Sequence, residues 1–151
     1  MKLKLLLICL IIAFLPGIIG SIFTKDNVDS EGYQVNKPSF TPPNYVFPIA
    51  WTILYIAIGI SLYLSWTSAK AKQKNKIGWL FAINLILNAI WTPLFFTLKN
   101  PFLSLINISL IVISTMYLIV FLYKINKTAS YILIPYLIWI LFASILNSAF
   151  L

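Results

Sequence analysis

The sequence contains no histidine, and all eleven of its basic residues are lysines. Without histidine there is no imidazole to act as a general base, a haem ligand or a metal ligand. Acids are nearly as scarce. Asp26, Asp29 and Glu31 are the only three, crowded into one stretch, so hydrolysis by carboxylates placed across a cleft has nothing to draw on. A single cysteine, Cys9, excludes an intramolecular disulfide and reads as a packing residue. Charged residues make up 9% of the 151, against 61% hydrophobic, where a soluble domain carries roughly 25% charged. A water-facing surface cannot be built from so few charges. A soluble globular protein, a disordered chain and a nucleic-acid binder are therefore excluded. The net charge of +8 would suggest nucleic acid elsewhere, but here the lysines sit in short loops between apolar runs.

Those apolar runs are the main content of the chain. A hydrocarbon core about 30 Å thick needs about 20 apolar residues in a helix. Five charge-free runs meet that length, giving expected spans at 5–24, 46–68, 77–98, 101–123 and 129–150. Backbone polar groups in lipid must be satisfied within the segment, so the runs are helices. Strand-like alternation is absent, which argues against a barrel. The expected fold is all-α, an integral membrane bundle of five transmembrane helices in a single domain, 1–151. The first run follows Lys2 and Lys4 and resembles a secretory signal. It is longer than a usual signal core, lacks a small-x-small cleavage site and continues past Pro16-Gly17, so it reads as a retained span.

Lysine placement predicts orientation. Lys2, Lys4, Lys70, Lys72, Lys74, Lys76, Lys124 and Lys127 fall on one side; Lys25, Lys37 and Lys99 fall on the other with all three acids. The expectation is a multi-pass protein with its N-terminus inside (cytoplasmic) and its C-terminus outside. No acid lies inside a span, so the carboxylate typical of proton-coupled transport is missing. Three connections are short, roughly 69–76, 99–100 and 124–127, and force antiparallel neighbours. The first, 25–45, is long. Pro38, Pro42 and Pro43 make its second half a stiff, non-helical strap carrying one aromatic, Phe40, and suited to a lid.

The remaining chemistry is aromatic and amide. Trp66 and Trp79 flank the lysine-rich loop at interfacial belt positions. Trp51 and Trp91 lie roughly 9–10 Å below the outer face at 1.5 Å per residue, and Trp139 lies deeper, where a belt does not explain it. Asn84 and Asn88 share a helix face that Trp91 and Phe95 continue. Trp139, Ala143 and Asn147 share another, with Pro135 one turn earlier able to bend its helix. Trp51 and Tyr55 are one turn apart on a third. Two readings stand at this point: interhelical packing with the amides as glue, or a cavity wall on which a flat apolar ligand stacks. Lys37 or Lys99 could then pair with acidic groups of such a ligand at the outer water boundary. Small residues at four-residue spacing, Gly17 with Ser21 and Ala57 with Ser61, would permit close helix approach.

The runs K-P-S-F-T-P-P-N-Y-V-F-P-I-A-W-T-I-L-Y (37–55), L-N-A-I-W-T-P-L-F-F (87–96) and P-Y-L-I-W-I-L-F-A-S-I-L-N (135–147) resemble three signatures of the TspO/MBR family. That family comprises the tryptophan-rich sensory proteins and the translocator protein, or peripheral-type benzodiazepine receptor. Gly17 and Gly20 match a paired glycine in its first span. The resemblance covers nearly the whole chain and implies a five-helix bundle, commonly a homodimer. It implies a pocket for tetrapyrroles such as protoporphyrin IX and haem, with sterols and benzodiazepine-type drugs as ligands of animal members. Trp51, Asn84, Trp139 and Ala143 match family pocket residues, and Trp51 and Trp139 match tryptophans implicated in light-dependent porphyrin breakdown. The family usually has Trp-Tyr six and five residues before the motif lysine; here Glu31 and Gly32 stand there, with Tyr33 one place later. The expected function is porphyrin binding for sensing, transport or disposal, with no cofactor required and no metal site. Porphyrin breakdown in light and a small assembly or regulatory role in the membrane are the alternatives. The sulfur ligands Met1, Met116 and Cys9 lie off the aromatic faces, so a porphyrin would be held by stacking without a strong axial ligand.

Overall fold

Apolar runs too long for a globular core become helices that face outward as much as inward. The computed structural model describes residues 1–151 as helices without a strand. The helices are α1 (Leu3–Thr24), α2 (Glu31–Asn36), α3 (Val46–Ser68), α4 (Ala71–Thr92), α5 (Pro101–Tyr123), α6 (Lys127–Ile132) and α7 (Ile134–Ser148). A π-helical turn, Pro93–Thr97, extends α4. Five stretches are long and apolar enough to cross a membrane: Leu3–Thr24, Val46–Ser68, Ala71–Thr97, Pro101–Tyr123 and Lys127–Ser148. Their outward faces carry residues such as Ile11, Ile18, Ile53, Ile113 and Ile138, all well exposed. In water these would form one large sticky patch; in lipid they meet their own kind.

Three boundaries differ from the charge-free runs, each for a local reason. The third span starts at Ala71, six residues before Ile77, so Lys72, Lys74 and Lys76 lie on its first two turns. Lysine is a good helix former, and the Gln73 side chain caps the start by accepting the Lys70 amide at 2.9 Å. The fifth span is two helices, α6 and α7, broken at Leu133. Pro135 has no N–H and crowds the preceding turn. Asn126 starts α6 by accepting the Ala129 amide at 3.0 Å. The long loop 25–45 is not wholly irregular: α2 occupies its middle, while 37–43 stays extended or turned around the three prolines.

Around the bundle the spans follow the order α1, α4, α5, α6 with α7, and α3. The lysine-rich half is solid. Ile58, Leu62, Ile77, Phe81, Leu118, Leu122, Ala129 and Leu133 fill it with almost no exposure. Ser61 donates to the Ala129 carbonyl at 2.7 Å and ties α3 to α6. The other half is hollow, because α3 packs on α6 but barely touches α7. Of the small residues with four-residue spacing, Gly17 and Ser61 are engaged inside the protomer. A Cβ on Gly17 would lie 2.6 Å from the Tyr55 ring, and Ser61 is fully buried. Neither is free to form a helix–helix contact between copies.

Candidate functional site

The hollow half contains a cavity of about 420 Å³, within the range of small-molecule sites. Its walls come from all five spans and its roof from the lid. The helix breaks shape it. Proline at position 93 cannot donate within the α4 ladder, and the turn after it widens to π spacing, with the Leu98 amide reaching the Pro93 carbonyl at 2.9 Å. That turn presents Phe95 and Phe96 to the cavity together. Two residues beyond it comes Lys99, whose φ of 48° is the one positive value in the chain, and Asn100 then caps α5 by accepting the Leu103 amide at 3.0 Å.

Of the residues singled out in the sequence, Trp51, Tyr55, Asn88, Trp91, Phe95, Trp139, Ala143 and Asn147 all line this one cavity. Trp51 stacks on Tyr55 with centroids 5.4 Å apart and an interplanar angle of 27°. Trp91 stacks on Phe95 at 5.0 Å and 14°. Trp139 meets Phe47 edge-on at 5.9 Å, across the α3–α7 seam. Asn84 lies elsewhere. It is fully buried between α4, α5 and α7 and is not part of the cavity wall. Its amide donates to Ser114 Oγ at 2.7 Å and Thr115 Oγ1 at 2.9 Å, and its Oδ1 accepts the Tyr136 hydroxyl at 3.0 Å.

The amides turn out to serve each other. Tyr55 donates to Asn88 Oδ1 at 2.9 Å, Asn88 Nδ2 donates to Tyr136 Oη at 3.1 Å, and Tyr136 passes the chain on to Asn84. Asn147 accepts from Trp91 Nε1 at 3.0 Å and donates to the Pro101 carbonyl at 2.8 Å. In lipid such a chain has no water to fall back on, so each member fixes the next. Tyr136, at its centre, is the residue the sequence reading missed. It stands seven and eleven residues before Ala143 and Asn147, on the same helix face, which was a usable signal. Two polar atoms remain buried without a partner: Trp139 Nε1 and Thr41 Oγ1. Both belong to cavity-lining residues.

The lid closes the end of the cavity away from the lysine-rich half, and does so differently from the sequence expectation. None of Pro38, Phe40, Pro42 and Pro43 lines the cavity, and Phe40 is 54% exposed. Their role is confined to the backbone of the strap, which sets Thr41 and Asn44 at the rim. The lid's aromatic contact comes instead from Tyr33 on α2. It stacks on Phe150 at 5.6 Å and 14° and lies within 6.5 Å of Phe95 and 5.6 Å of Phe96. Burial pushes its hydroxyl pKa above the usual phenol value of 10.0. Lid hydrogen bonds stay within the lid or tie it to the end of α1, such as Gln34 Nε2 to the Val28 carbonyl at 2.8 Å and Asn27 Nδ2 to the Phe23 carbonyl at 2.8 Å. Lys25 stands at the cavity mouth; Lys37 lines no part of it.

A five-span bundle, solid at one end and carrying a lidded, tryptophan-walled cavity at the other, defines an integral multi-pass membrane protein organised around an enclosed space. Comparison with known proteins specifies the class. The TspO/MBR family model matches residues 6–151, and the chain belongs to that family. It is 44% identical over 133 residues to the tryptophan-rich protein TspO of Archaeoglobus fulgidus, covering 88% of this chain and 86% of the relative. It is 36% identical to the protein of the same name from Chlorobaculum tepidum, over 94% of this chain and 90% of the relative. It is 29% identical to the translocator protein of Bos taurus, over 88% and 80%.

Proposed function

We propose that the cavity binds a tetrapyrrole, protoporphyrin IX or haem, for porphyrin sensing, transport or disposal. The observation that carries this reading is the wall itself: Trp51, Trp91, Trp139 and Phe95 surround one cavity of about 420 Å³ with no charged residue beyond Lys25 at its mouth. Flat rings offer stacking to a flat apolar ligand, worth about 1–3 kcal/mol per ring by analogy with nucleobases. The unpartnered Trp139 N–H and Thr41 hydroxyl favour a ligand with a hydrogen-bonding atom on its body, because a buried orphan donor is costly until it finds one. Family membership supports the same reading.

The test is quenching of tryptophan fluorescence by protoporphyrin IX in the purified protein. Saturable quenching, weakened in Trp51→Ala and Trp139→Ala variants that still fold, is the expected result. Wild-type binding in both variants would place the ligand elsewhere. A second reading, light-dependent porphyrin breakdown, is favoured by the Trp51–Tyr55 stack, which sets two oxidisable rings in contact at the cavity wall. Turnover in light and none in the dark would establish it. For topology we take the lysine-rich end, with α6 and the start of α4, as the cytoplasmic end, which puts the lid outside.

A further inference from the structure

Above the cavity lies a second one, of about 360 Å³, between α2 and the ends of α5 and α7. Tyr33, Phe95, Phe96 and Phe150 line both spaces, so a partition one aromatic ring thick separates them. The partition is close-packed: Tyr33 on Phe150 at 5.6 Å, Phe95 against Phe150 at 5.0 Å, Phe95 against Phe96 at 5.0 Å. The two chambers differ in chemistry. The inner one is walled by tryptophan. The outer one has a polar floor from the lid, one cation, Lys99, and no acid.

The polar groups of that floor already have partners. Asn27 Nδ2 donates to the Phe23 carbonyl at 2.8 Å, Ser30 Oγ to the Asn27 carbonyl at 2.7 Å, and Asn36 Nδ2 to the Gly32 carbonyl at 2.7 Å. The Lys99 ammonium is thus the charged donor left for a ligand. Its place is fixed by backbone on both sides. The Asn100 amide reaches back to the Leu94 carbonyl at 3.1 Å, and the Asn100 side chain caps α5, which holds Lys99 at its positive φ. Beside it Gly32 faces open space, with nothing within 4 Å of where a Cβ would stand.

We propose that the outer chamber is a carboxylate subsite. Lys99 pairs with an acidic edge of a ligand whose flat body lies in the tryptophan-walled cavity below, and the ring of Tyr33 swings aside to let the two parts sit in their own chambers. The site would then select flat apolar molecules that carry an acidic edge over neutral ones of the same shape. The proposal rests on the porphyrin reading and adds to it the basis of selectivity.

Protoporphyrin IX and its dimethyl ester share a ring system and differ in charge, so they separate the chambers. Both are titrated by tryptophan quenching into the full-length protein in nanodiscs of neutral lipid, for wild type, Lys99→Gln and Lys25→Gln, at two salt concentrations. Lys99→Gln should weaken the free acid about 2- to 5-fold, as for a partly solvated ion pair. It should leave the ester unchanged and abolish the salt dependence of acid binding. Equal effects of Lys99→Gln on acid and ester, or none on either, would overturn the subsite while leaving porphyrin binding intact. The same acid-selective loss in Lys25→Gln and not in Lys99→Gln would move the anion to the cavity mouth and also overturn it. Failure of both porphyrins to quench the wild type would instead sink the porphyrin reading, and the subsite with it.

Discussion

Gly17→Ala tests whether the close approach of α1 to α3 holds the cavity wall in place. The added methyl would lie 2.6 Å from Cε2 of Tyr55 and 3.2–3.3 Å from two further ring atoms. Ordinary contact starts at 3.4 Å, so the ring must retreat by about 0.8 Å, and it is pinned. One face stacks on Trp51, the hydroxyl donates to Asn88 at 2.9 Å, and Phe14 packs at 5.6 Å. A retreat that also lengthens the 2.9 Å bond to Asn88 would leave an unpaired phenol and an unpaired Asn88 Oδ1 at membrane depth. Overpacking costs about 1–3 kcal/mol and the lost interhelical bond about 1 kcal/mol, so the variant should lose about 2–4 kcal/mol of stability. Porphyrin affinity should fall about tenfold as the Trp51–Tyr55 wall shifts.

The companion is Gly59→Ala, whose methyl would lie 2.7 Å from a Leu10 methyl and 3.0 Å from its Cα. It should destabilise comparably by pushing α1 from α3 in the solid half, yet leave the affinity of the folded fraction unchanged. Graded denaturation of both variants in mixed detergent, with porphyrin titration of the folded protein, reads the two effects separately. If Gly17→Ala folds and binds like wild type while Gly59→Ala is destabilised, the Gly17–Tyr55 approach does not position the wall.

The other expectations are simpler to state. Trp139→Phe removes an N–H that has no partner, so it should lower ligand affinity about 2- to 12-fold with little loss of stability; Trp91→Phe strands Asn147 Oδ1 and should cost stability by about 1 kcal/mol or more. The Tyr33 phenol, raised by burial, favours the docked lid in its neutral form, so docking is fully present below pH 10.0 and fades as pH climbs through the raised value. Lid docking in the ligand-free protein should therefore show no Tyr33-dependent change from about pH 6 to pH 9, and Tyr33→Phe should remove the undocking that limited proteolysis of residues 25–45 detects at higher pH. Met116 is 52% exposed on the outside of the bundle, while Cys9 is buried between α1 and α3, so neither reaches the cavity; free-base protoporphyrin IX should bind at least as well as haem, and a sharp low-spin haem spectrum would refute this. Cysteines introduced at 72 and 151 should label from opposite sides, with 72 cytoplasmic; labelling from one side would mean a miscounted span.

Much of this was legible because lipid leaves the chain so few options. Span number and helicity follow from run length and backbone satisfaction alone. Helix faces were legible too: four-residue spacing put Trp51 with Tyr55, and Trp139 with Ala143 and Asn147, and those faces do meet. What spacing could not convey was which way an amide points. Asn84 and Asn88 share a face, but one turn of helix is about 5.4 Å, enough for Asn88 to reach the cavity while Asn84 sits in the solid interior among Thr115, Ser114 and Tyr136. The lid was misjudged for a related reason. Its prolines advertise stiffness, yet the contact is made by Tyr33, in a six-residue helix too short to stand out as a pattern.

The cavity itself is a consequence of two helix breaks, one near each end of it. A bundle of unbroken spans packs along its full length. Two spans are interrupted, the third near the lid and the fifth within the lysine-rich half. Pro93 loosens the end of α4 into a π turn, and Pro135 follows the break at Leu133 that parts α7 from α3. A third feature maintains the opening: Tyr55, pressed by α1 at Gly17 and held by Asn88, cannot collapse into the space it borders. The void is thus supported by hydrogen bonds on one side and stacked rings on the other. Small losses there should show first as weakened binding, before the packed lysine-rich half begins to unfold.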